Sequence, residues 1–130
     1  MIDRRHLLAA VGAAAIGPVA LAPTTLTTPD GATMYGLIGK MTAVAGQRDT
    51  LAGILLEGTK AMPGCLSYVI ATDPADADAI WVTEVWDSQA SHQASLKLPA
   101  VQAAIAKGRP LIAGFSNRVE TVPLGGHGLG

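Results

Sequence analysis

The chain of 130 residues has a formal net charge of −1, with 49% apolar and only 15% charged residues. That length suits one core, the charge balance offers no basic stripe for nucleic acid, and the apolar content excludes a disordered chain. The single cysteine, Cys65, excludes an intrachain disulfide framework and any zinc site built from several cysteines.

At the front, Arg4-Arg5 and Leu7-Leu8 lead into an alanine- and glycine-rich apolar run ending at Ala22. Charged, apolar and small-residue segments in that order make a secretory signal. The paired arginines followed by two leucines resemble a twin-arginine export signal. The run is shorter than the roughly 20 residues a membrane span needs, so no stable span is expected beyond the signal segment. Ala20-Leu21-Ala22 has the small-x-small pattern of a cleavage site, although Pro23 follows it. A buried N-terminal helix is the competing reading, but it leaves Arg4-Arg5 unexplained. Residues 1–22 therefore read as an export signal for a periplasmic or secreted protein, retained as an anchor if uncut. Residues 23–33 form a Thr/Pro/Gly linker, 34–123 the folded domain, and 124–130 a glycine-rich tail.

Within the domain, residues 35–44 alternate as a strand. Leu51, Ile54, Leu55, Gly58 and Met62 make one helical stripe, which Pro63-Gly64 terminates. Residues 65–71 form a short β run, and 79–86 (AIWVTEVW) the strongest strand, joined to it as a hairpin by the polar turn 73–78. Asp73, Asp76 and Asp78 in that turn lack the glycine of an EF-hand loop and read as a solvated turn. Asp87-Ser88 caps a helix through Leu96. Pro99 opens another helical segment, with Val101 and Ile105 directed inward and Gly108 at its end. Residues 115–122 alternate again as the last strand. Strand, helix, strand, strand, helix, strand is the ferredoxin-like split βαβ order of an α+β domain, an antiparallel sheet with helices on one face.

That order leaves the other sheet face bare. Both alternating sets of the third strand are apolar, with Ile80 and Val82 on one side and Trp81 and Val85 on the other. An apolar face in water calls for a partner, and a second copy related by a two-fold axis supplies one. A homodimer is expected.

Three pieces carry a family resemblance: Glu84-Val-Trp-Asp-Ser88 at the strand-to-helix junction, Leu96 to Val101 around Pro99, and Met62-Pro-Gly-Cys65 before the second strand. In this order and spacing they resemble the antibiotic biosynthesis monooxygenase (ABM) family, and its quinol monooxygenase branch in particular, over about residues 34–122. The resemblance implies a dimeric α+β barrel. It also implies oxygenation of a small quinol or polyphenol by dioxygen, with no metal or flavin cofactor. Many members carry a histidine at the position of Ser95, whereas this chain has His92 one helical turn earlier. Haem-degrading relatives place their iron ligand at the position of Ile105, which cannot ligate iron.

Dioxygen is a triplet, so without a cofactor the substrate must supply electrons singly, which a phenolate does better than a phenol. The protein then needs a base, donors for the phenolate and a dry aromatic-lined pocket. His92 is the domain's candidate base by its ordinary pKa. Glu84 shares strand parity with Ile80, Val82 and Trp86 and is the second, partly buried proton acceptor. Trp81, Trp86 and Tyr68 are candidates to line the pocket, and Ser95 or Arg118 to donate to an oxyanion. Each has a plainer reading: His92 as a solvated helix residue, Glu84 as an interface or capping carboxylate, and the tryptophans as core and dimer contacts. His127 reads as inert and Cys65 as a small buried hydrophobe. The competing function is a small-ligand-binding or stress-related dimer on the same scaffold, without catalysis.

Overall fold

The computed structural model describes residues 33–129. The export signal read at 1–22 and nearly all of the linker at 23–33 lie outside the described residues. Chain order is β1 (Tyr35–Ala43), α1 (Arg48–Gly58), β2 (Cys65–Thr72), β3 (Ala79–Trp86), α2 (Gln89–Ser95), α3 (Pro99–Gly108), a single 3₁₀ turn (Arg109–Leu111) and β4 (Ile112–Thr121). The strands pair antiparallel in the order β2-β3-β1-β4, the ferredoxin-like α+β arrangement that the sequence predicts.

Register decides what each face carries. Tyr35, Leu37 and Met41 of β1 lie opposite Trp86, Glu84 and Ile80 of β3, and Tyr68 and Ile70 of β2 lie opposite Glu84 and Val82. Because strand side chains alternate, all of these face the helices. Fully buried Leu51 of α1 packs on Ala43, Ile80 and Val82. A second cluster gathers Tyr35, Leu37 and Trp86, with Met62, Cys65 and Tyr68 against it. The opposite face carries Ile38, Lys40, Val69, Trp81, Val85 and Val119. Among the described residues no element covers it, and Val69 and Val119 stay half exposed, at 51% and 50%.

Besides β1 ending at Ala43 and α2 at Ser95, each one residue short of the sequence expectation, four details differ from it. The first helix spans Arg48–Gly58 and stops short of Met62. At Gly58 the helix meets α3 so closely that a Cβ would lie 2.5 Å from the Ala104 Cβ. Thr59 then ends it by turning its hydroxyl to the Leu55 carbonyl, 2.7 Å away. That same close approach explains the second difference: the inward residues of α3 are Val101, Ala104 and Gly108, and Ile105 is 37% exposed. The contact admits a methyl group, not a branched chain. Third, β2 runs one residue further, to Thr72. Fourth, β4 begins at Ile112 and ends at Thr121. It also breaks its alternation at a bulge, where Asn117 and Arg118 together oppose Gly39 and Asn117 takes a left-handed φ of 50°.

The acidic turn spends its carboxylates locally. Asp73 accepts from the Ala75 amide and the Trp81 indole, Asp76 from the Asp78 amide, and Asp78 from the Gly46 amide. Among the described residues, no helix is long and apolar enough to cross a membrane.

Candidate active site

The site begins with the cap of α2. Ser88 is extended, and its Oγ accepts from the Ser91 amide at 3.1 Å, satisfying one of the free N–H groups of a helix start. Gly64, at a φ of 86°, lies so close to Ser91 that a Cβ would sit 2.5 Å from it. The Asp87 amide donates to the Gly64 carbonyl at 2.9 Å. The start of α2 is thereby fastened to the α1–β2 connection, and one turn on, His92 points back onto the sheet.

There the imidazole lies between two rings. Tyr35 is tilted at 5.2 Å between centroids, and Trp86 is edge-on at 5.5 Å. His92 Nε2 is 3.8 Å from Glu84 Oε1, the same oxygen that accepts from Trp86 Nε1–H at 2.9 Å. The two side chains are 14% and 12% exposed. His92 Nδ1 is buried and has no protein partner; such an atom costs about 1–3 kcal/mol unless something satisfies it. On the other side, the Tyr35 hydroxyl donates to Glu120 Oε2 at 2.6 Å.

Burial dominates the electrostatics. It lowers the His92 pKa, with the Arg118 cation adding to the effect and Glu120 opposing it. It raises the Glu84 pKa against the Trp86 hydrogen bond and Arg118. The Tyr35 and Tyr68 phenols are both pushed above their ordinary value, chiefly by burial and then by the neighbouring carboxylates Glu120 and Glu84 respectively. Desolvation disfavours the charged form of each group. The cluster therefore keeps a neutral imidazole beside a carboxyl that holds its proton unusually well.

Of the residues singled out in the sequence, His92, Glu84 and Trp86 come together in direct contact. Tyr68 stands behind Glu84 as its cross-strand neighbour. Arg118 is exposed, on the same side of β4 as Glu120. Ser95 is buried, but its Oγ is committed to the His92 carbonyl at 2.6 Å, a helix back-bond rather than a free donor. Trp81 is not brought to the cluster. It lies on the uncovered face, with Lys40 5.8 Å from its ring centroid and its indole on Asp73. Tyr35 and Glu120 were not singled out. Tyr35 gave no signal beyond strand alternation, and the Asn117 bulge disguises Glu120, since plain alternation from Phe115 would turn it away.

Cys65 is half-buried, and burial raises its thiol pKa, so the structure gives it no thiolate character. Among the described residues, no group of three or more His, Cys, Asp or Glu side chains is placed to hold a metal ion.

The model of the antibiotic biosynthesis monooxygenase family matches residues 34–107. A solved structure of a candidate antibiotic biosynthesis monooxygenase from Chloroflexus aurantiacus is 68% identical, with a TM-score of 0.74. The match covers 75% of this chain and 100% of that one. A Pseudomonas aeruginosa protein at 21% identity covers 72% of this chain and 96% of its own, with a TM-score of 0.64. A candidate family member from Caulobacter crescentus at 18% identity covers 72% and 90%, with a TM-score of 0.60. The latter two share the fold. A search of curated proteins found no match. With a family model spanning most of the folded domain and a near relative covered end to end, the chain belongs to the antibiotic biosynthesis monooxygenase family.

Proposed function

We propose that the protein is a cofactor-independent monooxygenase that oxidises a small quinol or polyphenol with dioxygen, works as a homodimer, and is exported. The observation that carries the activity is the buried contact of His92, Glu84 and Trp86 in a chain of this family. Glu84, held by the Trp86 indole, faces Nε2 and favours the tautomer with the proton there. The lone pair of Nδ1, which has no protein partner, is then the base for a substrate hydroxyl. Kept neutral at ordinary pH by its burial, the imidazole is in the form that can take that proton. Arg118 adds positive charge for the phenolate that forms.

The ionised ring passes one electron to dioxygen, and the ring radical and superoxide join at a ring C–H carbon as a peroxide anion, which takes the proton back from the His92 imidazolium to become a hydroperoxide. Loss of water turns that C–H carbon into a carbonyl. One oxygen atom enters the product quinone and the other leaves as water.

Purified protein freed of metal with a chelator is expected to consume oxygen with hydroquinones, measured at an oxygen electrode. His92→Ala is expected to lower the rate by about 10²–10⁴-fold, the range of a positioned general base. No uptake across a panel of phenols would remove the oxygenase. A ligand retained in native mass spectra without turnover would instead favour a binding protein on the same scaffold. Export rests on the sequence of residues 1–22, and N-terminal sequencing of the protein recovered outside the cytoplasm tests it.

A further inference from the structure

We propose that Glu120 is a positioning residue for His92: acting through the Tyr35 hydroxyl, it fixes one of the two rings between which the imidazole is held. The proposal rests on the oxygenase reading for its effect on rate, but not for its effect on His92.

Among the described residues, the His92 imidazole has no hydrogen-bond partner. Nδ1 is unpaired, and Nε2 lies 3.8 Å from Glu84 Oε1, beyond hydrogen-bond reach. Packing therefore directs the ring, and it comes from two sides: Tyr35 at 5.2 Å and Trp86 at 5.5 Å between centroids. Each of those rings is in turn tied to a carboxylate. The Trp86 indole donates to Glu84 Oε1 at 2.9 Å. The Tyr35 hydroxyl donates to Glu120 Oε2 at 2.6 Å, within the range of a charge-assisted O–H···O bond. Cutting either tie frees a ring to change rotamer, and the imidazole loses a wall.

The placement of Glu120 is built into β4. Phe115 lies opposite Met41 on the helix side, and plain alternation from there would send residue 120 to the uncovered face. The bulge at Asn117 and Arg118 resets the parity, so that Glu120 lies opposite Leu37 on the helix side. Bulges beside active sites re-aim side chains in this way. The end of the strand is held from the other face, where Gly36 has no side chain and Thr121 and Pro123 fill the space a Cβ would take. Tyr35 is only 8% exposed, so its hydroxyl has little water to turn to once Glu120 is removed.

Glu120 and the Arg118 cation also bias the protonation of His92, in opposite senses. At about pH 8 the imidazole is neutral, and that bias drops out of a measurement of where the ring sits.

The test is the position of the His92 ring-proton resonances at about pH 8, which report the ring currents of Tyr35 and Trp86. Glu120→Ala and Tyr35→Phe each cut the tie and are expected to displace those resonances. Glu120→Gln keeps an acceptor for the hydroxyl and is expected to hold them near their native positions. Resonances unmoved in Glu120→Ala, or moved as far in Glu120→Gln, would overturn the proposal. If Glu120→Ala does not fold, the contrast between the near-isosteric Tyr35→Phe and Glu120→Gln decides in the same way. Oxygen uptake at the same pH gives a second readout. Glu120→Ala is expected to lower kcat at least about tenfold, short of the roughly hundredfold that a 1 Å misplacement can cost, and Glu120→Gln to recover most of that loss. Equal losses in the two variants would overturn the positioning role. The two claims fail separately: no uptake by the native chain, with the resonances as expected, sinks the oxygenase and keeps the role of Glu120. Native uptake with unmoved resonances does the reverse.

Discussion

His92 and Glu84 touch, yet burial moves their pKa values in opposite senses. The folded His92 binds its proton less readily than the unfolded chain, whose value is near 6.5. The stability tied to its neutral form is complete above 6.5 and is lost as the pH falls from there toward the folded value. Glu84 holds its proton more tightly when folded, so its contribution is complete below 4.5 and is lost as the pH rises through its folded value. His92→Gln is therefore expected to flatten the fall in Tm on acidification below 6.5; thermal melts that fall as steeply as those of the native chain would refute this. The rate has a matching signature. The acid limb of the pH–kcat/KM profile is expected below 6.5, and Arg118→Gln, which removes the cation that helps to lower the His92 pKa, is expected to move that limb to higher pH.

At this scale the sequence was informative in an uneven way. Glu84 and Trp86 were legible because parity along one strand with Ile80 and Val82 already implies burial. The orientation of His92 was not, because it depends on how Gly64 and Ser91 fasten α2 to a loop distant in sequence. Trp81 shows the limit most plainly. Its residue type suggested a ligand wall, and its parity alone placed it on the opposite side of the sheet.

Among the elements, α2 has seven residues, too few to hold on propensity alone. Its cap should matter accordingly: Ser88→Ala is expected to cost about 1 kcal/mol and to lower oxygen uptake more than its Tm loss explains, because His92 rides on the first turns. Calorimetry paired with the electrode assay tests this. The contact between α1 and α3 is tighter still. Gly58→Val would press branched carbons into Ala104 and the Ala100 carbonyl, at an expected cost of about 1–3 kcal/mol, read from denaturant melts. Element order, the strand at 79–86, the Ser88 cap and the Pro99 start were all visible in spacing and capping residues. The end of α1 and the exposed Ile105 were not, since both follow from how near two helices come, and that distance is a property of the packed pair. The bulge in β4 escaped for a related reason: Asn117 tolerates a left-handed φ, but nothing in one strand says where its partner needs an extra residue.

For the molecule as a whole, the uncovered sheet face governs behaviour. Val69, Val85 and Val119 lie on one surface of β2, β3 and β4, and we expect a second copy to cover them. Val85→Lys, near the middle of that surface, is expected to shift the protein from dimer to monomer by sedimentation equilibrium while leaving far-ultraviolet circular dichroism unchanged; a native chain that sediments as a monomer removes the dimer. The same sheet has a less obvious property at its margins. Both outermost strands are irregular, β2 between Cys65 and Ser67 and β4 beside Asn117 and again between Thr42 and Ala43 of its partner. A kinked border presents its free amides and carbonyls out of step with any straight incoming ribbon. Borders of this kind disfavour edge-to-edge extension of the sheet into fibrils at both flanks.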